Sequence, residues 1–170
     1  AHAVARRTSD SETVALSLDG RAALVTGGSR RMGKVIALAL ARHGADVAIT
    51  YRTHRTEARA VTAAIQALGR RAVAIRADLT HAAECRRAVT RASLALGRLD
   101  ILVNNVGAWL VKSVETTSLA EWREVLDSNL TATYLCSRTA VPLMRRNGWG
   151  RIVNLGAAGA YRAHGTARMA

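Results

Sequence analysis

Short apolar runs alternate along this chain with longer segments in which an apolar residue recurs every three or four positions. The runs "AALVTG" (22–27), "ADVAIT" (45–50), "AVAIRA" (72–77), "DILVNN" (100–105) and "RIVNLG" (151–156) have the length and composition of buried strands. Segments 32–43, 55–68, 81–96 and 119–147 carry helical spacing, and Pro142 inside the last predicts a kink or a break there. Strands separated by helices of this length pair in parallel through right-handed crossovers. The layout predicts an α/β doubly wound sheet with strand order 3-2-1-4-5. Residues 1–20 are polar and unpatterned and are expected to form a flexible arm, with 21–170 as one domain.

Composition narrows the picture only in places. With 170 residues, 49% of them apolar, the chain suffices for one core. No apolar run approaches the ~20 residues of a bilayer span, and the first twenty residues lack the apolar centre of a signal peptide, so a cytoplasmic protein is expected. Cys85 and Cys136 have no paired spacing, and the five histidines show no metal-ligand pattern; no metal is expected. Lysine and arginine number 25 against 12 acidic residues, an excess that raises polyanion binding. The arginines, however, are scattered singly or in pairs, without groove-reading motifs or interleaved aromatics, so no specific nucleic-acid partner is expected.

The stretch "TGGSRRMG" (26–33) follows the first strand directly and opens the first helix. A helix start offers backbone N–H groups without intrahelical partners and the positive end of the dipole, which together hold a pyrophosphate. Gly27 permits a sharp turn, Gly33 lets helix approach sheet, and the hydroxyls of Thr26 and Ser29 can bond either the turn or a phosphate. Where an NAD site needs a carboxylate after the second strand, the sequence reads "TYRTHR". Arg52, joined by Arg30, suits a 2′-phosphate there, which favours NADP(H) over NAD(H). Asp46 begins the second strand and is badly placed for a ribose.

With these motifs in order, the chain resembles the short-chain dehydrogenase/reductase family from about residue 18 to residue 159. The family's T-G-x-x-x-G-x-G turn matches 26–33 with Arg31 in the middle glycine's place, its adenine motif matches Asp78–Leu79, and its N-N-A-G motif matches Asn104, Asn105, Val106 and Gly107. Its helix-four asparagine matches Asn129. The Arg31 variant is similar to the branch containing pteridine and dihydromonapterin reductases. The resemblance implies a Rossmann-like NAD(P)-binding domain and a reductase of a carbonyl or pterin-like substrate. It implies a cofactor site of Thr26, Gly27, Ser29, Arg30, Arg31, Met32, Gly33, Tyr51, Arg52, Asp78, Leu79, Asn104, Val106 and Gly107. Asn129 would position a catalytic water, Trp109 would border the substrate, and the helix over 119–147 would pair with a second subunit to form a homo-oligomer.

The family's remaining catalytic groups have no counterpart here. Its serine after the fifth strand falls at Ala157, or at Gly156 if the register slips, and no Tyr-x-x-x-Lys follows. Tyr161 comes too early, with Gly165 four residues on. The chain is therefore expected to be the cofactor-binding portion of a truncated reductase, inactive alone and incomplete at the C-terminal end of its fold. The alternative is a catalytically inactive nucleotide-binding or interaction module.

Overall fold

The computed structural model describes residues 17–156. Five strands, β1 (Ala22–Val25), β2 (Asp46–Tyr51), β3 (Ala72–Arg76), β4 (Ile101–Asn104) and β5 (Arg151–Asn154), form one parallel sheet in the order β3-β2-β1-β4-β5. Between them run α1 (Arg31–Arg42), α2 (Arg55–Ala67), α3 (Ala82–Leu96), α4 (Leu119–Leu126) and α5 (Ala132–Arg146). The expected sheet order is therefore the observed one.

Side chains alternate across the sheet, so β1 supplies two cores. Ala22 and Leu24 join Leu102, α3 and α5 on one face; Ala23 and Val25 join Val47, Ile49, α1 and α2 on the other. The helices bury small residues at helical spacing, as with Gly33, Ala37 and Ala41 of α1. Gly97 ends α3 in the left-handed region at φ 77, where glycine escapes the Cβ clash. Leu18 N–H donates to the His43 carbonyl at 2.7 Å and Asp19 pairs with Arg70 at 3.0 Å. The last residues of the expected arm are thus docked; residues 1–16 lie outside the described ones.

The long helix expected over 119–147 is interrupted, though not at its proline. Ser118 and Glu121 close a capping box at the start of α4, and a π-helical turn over Asp127–Thr131 separates α4 from α5. Helix α5 continues past Pro142 to Arg146. Ser128 and Asn129 explain where the irregularity falls, because their side chains bind the Val125 carbonyl, which a regular helix would give to the Asn129 amide. Ser128 Oγ donates to the Val125 carbonyl at 3.2 Å, and Asn129 Nδ2 donates to the same oxygen at 2.9 Å. No helix among the described residues is long and apolar enough to cross a membrane.

Candidate nucleotide-binding cleft

A cleft of about 460 Å³ opens where the strands end, between the start of α1 and the loops after β2, β3 and β4. This is the position at which a doubly wound sheet binds ligands, since the crossovers part between β1 and β4. Gly27 has φ 63, and a Cβ there would lie 2.9 Å from Val106 Cγ2. A Cβ on Gly33 would collide with the Gly27 carbonyl and come within 2.7 Å of Asn105 Nδ2. Both positions therefore require glycine, one for its backbone angle and one for its lack of a side chain.

Among the described residues no side chain caps the start of α1. Its N-cap, Arg30, makes no side-chain cap, and its first turn has no acidic residue, whereas α4 has both. The first-turn amides consequently face the cleft without intrahelical or side-chain acceptors, and the dipole adds positive potential. Gly27 and Gly28 are held elsewhere: Gly27 N–H donates to Thr50 Oγ1 at 2.9 Å and Gly28 N–H to the Thr50 carbonyl at 3.0 Å. Glycines that fix the turn and amides left over for an anion fit a dinucleotide diphosphate.

Arg31, standing where the family's turn has a glycine, has φ 48 and an exposed side chain lining the cleft. The left-handed region costs a non-glycine residue about 1 kcal/mol or more, so this arginine is held against a local strain. Ser29, Arg30, Met32, Tyr51 and Arg52 line the same cleft, as do Asp78, Leu79, Val106 and Gly107. Among the described residues Arg30 and Arg31 form no ion pair, while Arg52 reaches Asp78 Oδ2 at 3.8 Å. Burial opposes the charge on Asp78. Hydrogen bonds from the Thr80 hydroxyl and amide, with the Arg52 and His81 charges, outweigh it and hold the carboxyl below its usual range.

Two expected contacts lie behind the cleft wall rather than in it. Thr26 is buried, its Oγ1 accepting from Asn105 and Val106 N–H at 2.8 and 3.0 Å and donating to the Val103 carbonyl. Asn104 is also buried, its Nδ2 donating to Ser137 Oγ at 3.1 Å and Asn154 Oδ1 at 2.9 Å. Both clasp β1, β4 and β5 together, because their polar atoms are satisfied by neighbouring backbone and side chains. Asn129 lies beyond Gly107: its Nδ2 donates to the Ala108 carbonyl at 2.9 Å, and a Cβ on Gly107 would strike its Oδ1. Trp109 is exposed and does not line the cleft. Asp46 bonds Arg71 at the opposite end of the sheet, as its place at the start of β2 implied.

Sequence reasoning passed over Thr50, Ser128, Glu124 and His54, all of which line the cleft, and gave Asn105 only as a member of the N-N-A-G motif. Only Thr50 left a signal, as a lone hydroxyl at the end of an apolar strand. The serine equivalent Ala157 and Tyr161 lie outside the described residues.

A family model for short chain dehydrogenases matches residues 21–167. Hydroxynaphthalene reductase of Aspergillus fumigatus is 46% identical over 125 residues, 74% of this chain and 46% of that protein. A short chain dehydrogenase from Burkholderia cenocepacia, solved in complex with NADP, superposes with TM-score 0.82 and 43% identity over 88% of this chain and 60% of its own. A 7α-hydroxysteroid dehydrogenase solved with NADH superposes with TM-score 0.83 and 33% identity, covering 88% of this chain and 58% of its own. The chain thus spans about half to three fifths of the length of these relatives. With its strand order, its glycine cradle and the matched model agreeing, the chain belongs to the short-chain dehydrogenase family.

Proposed function

We propose that this chain forms the cofactor-binding part of an NADP(H)-dependent reductase acting on a carbonyl or pterin-like substrate. The observation that carries the reading is the uncapped start of α1 facing Arg30, Arg31 and Arg52, with no carboxylate on the last residues of β2. The first-turn amides would hold the diphosphate, Arg52 and Arg30 the 2′-phosphate, and Asp78 and Leu79 the adenine. Bound there, the nicotinamide supplies the hydride. Asn129, anchored to Ala108 and Val125 by its amide nitrogen, would fix the loop after β4 beside the reacting ring and position a water. The NADP complex of the Burkholderia relative supports this choice of cofactor, and the NADH complex of the hydroxysteroid dehydrogenase shows that the fold takes either. A homo-oligomer paired through α4 and α5 is part of the same proposal; Leu119, Trp122, Leu130 and Tyr134 are exposed there.

The second reading, a nucleotide-binding module without turnover, is favoured by Ala157 where the family has its serine. Fluorescence titration with NADPH and NADH tests the cofactor, and NADPH oxidation with a panel of aromatic and pterin carbonyls tests the reaction. NADPH should bind ~10-fold or more tightly than NADH, and Arg52→Asp should remove that preference. Equal affinities would overturn the NADP(H) reading. Since both readings expect the chain alone to bind without turnover, the assay is run on this chain and on a form extended at its C-terminus. Turnover restored only by extension supports the reductase, and none in either form favours the module.

A further inference from the structure

Arg52, the residue best placed for a 2′-phosphate, is already engaged. Its guanidinium lies 3.8 Å from Asp78 Oδ2, and its carbonyl accepts from Arg76 Nε at 3.4 Å. The two oxygens of Asp78 are divided. Oδ1 accepts from the Thr80 hydroxyl at 2.7 Å and the Thr80 amide at 3.1 Å, with His81 Nδ1 at 3.9 Å. Oδ2 is left to Arg52. Glu84 accepts the Asp78 amide at 2.7 Å and pairs with Arg87 at 2.9 Å, so its carboxylate is spent on these partners rather than on Arg52. Both Asp78 and Arg52 line the cleft.

From this division of oxygens we infer that Asp78 sets the cofactor preference by holding Arg52, in addition to any contact it makes with adenine. The inference rests on the cofactor reading above. With a cofactor lacking the 2′-phosphate, Arg52 keeps its carboxylate and no charge is stranded. A 2′-phosphate must instead draw Arg52 away from Oδ2, and the adenine amino group eases the exchange by donating to the same oxygen. Preference for the phosphorylated cofactor is thereby blunted by the strength of the Arg52–Asp78 pair. Because the pair is solvent-exposed on the arginine side, 61% against 33%, the blunting is modest.

The test compares affinities for 5′-AMP and 2′,5′-ADP, which differ only in the phosphate at issue, by calorimetry on the chain and three variants. In Asp78→Asn, whose side-chain oxygen still accepts from Thr80, the preference for 2′,5′-ADP should rise ~3-fold, the size of an exposed pair. Arg52→Gln should abolish most of the preference. In the double variant Asp78→Asn should no longer raise it. A rise of equal size without Arg52 would mean simple charge repulsion by Asp78 and would overturn the inference; so would no rise in Asp78→Asn alone. Thermal melts check folding, and Asp78→Ser reads the same ratio if the asparagine variant fails. Equal binding of the two nucleotides by the unaltered chain would instead sink the NADP(H) reading itself.

Discussion

The two ends of the sheet treat charge in opposite ways. At the end where the strands begin, Asp100 is fully buried and answered: Arg98 donates to both its oxygens at 2.6 and 2.7 Å, Ala22 N–H adds a bond at 2.9 Å, and Arg21 lies 3.7 Å away. Arg21 and Arg151 both stack against Trp149, at 4.2 and 4.8 Å from the ring centre. Arg71 bonds Asp46, and Arg70 bonds Asp19. At the end where the strands finish, Arg30 and Arg31 form no ion pair among the described residues, and the start of α1 has no side-chain cap there. Arginine is abundant throughout, so abundance cannot mark a site. What marks it is the meeting of Arg30 and Arg31 with an uncapped helix start in one cleft, where cations and free amides converge on the place an external anion would occupy.

The largest test of this contrast is Gly33→Val. Wedging α1 from the Gly27 carbonyl should lower dinucleotide affinity ~100-fold or more, and retained affinity in a titration would show that the cradle is elsewhere. Asp100→Ala acts at the answered end. Removing a buried carboxylate that three groups address should cost about 3 kcal/mol in denaturant melts while leaving the ratio of NADPH to NADH affinity unchanged. Burial opposes the charge on Asp100, yet Arg98 and the Ala22 amide still hold its carboxyl below its usual range, so its contribution disappears as acid titrates it. A shifted cofactor ratio would show that the two ends are coupled.

Arg31→Gly is the sharper, smaller probe. Relief of the positive φ should raise stability by up to about 1 kcal/mol, reduced somewhat by the freer unfolded chain. NADPH binding should weaken ~5-fold as a cation leaves the diphosphate. A variant both more stable and equally tight would mean that the arginine serves no anion. The smallest effect lies at α4. Lys112 at 2.7 Å, followed by the Ser118 amide and hydroxyl, pulls the Glu121 carboxyl down to about 2. Its folded value is depressed, so its support for the α4 start is complete above 4.5 and is lost as pH falls toward about 2. An NMR titration of Glu121 with a midpoint near 4.5 would contradict the bonds that hold it.

What the sequence made legible was what local pattern encodes. Apolar runs of four to six residues between helical segments gave the sheet order, and "TGGSRRMG" gave the cradle, because strand, turn and helix start are contiguous there. Less legible were features that depend on partners far along the chain. Thr26 and Asn104 look like ligands in sequence and act as clasps in the structure, since their neighbours are Asn105, Ser137 and Asn154 once the strands align. Pro142 suggested the wrong break in the long helix; the side chains of Ser128 and Asn129 decide it instead. The pairing of Arg52 with Asp78 crosses from one strand end to the next and has no signature in spacing.

The contact between Gly107 and Asn129 leaves no room for even a methyl group. The π-helical turn and the loop after β4 must therefore shift together or not at all. On the proposed reading, a substrate gripped beside Asn129 would press on the loop that lines the nucleotide cleft, so a change made for one ligand would be felt by the other.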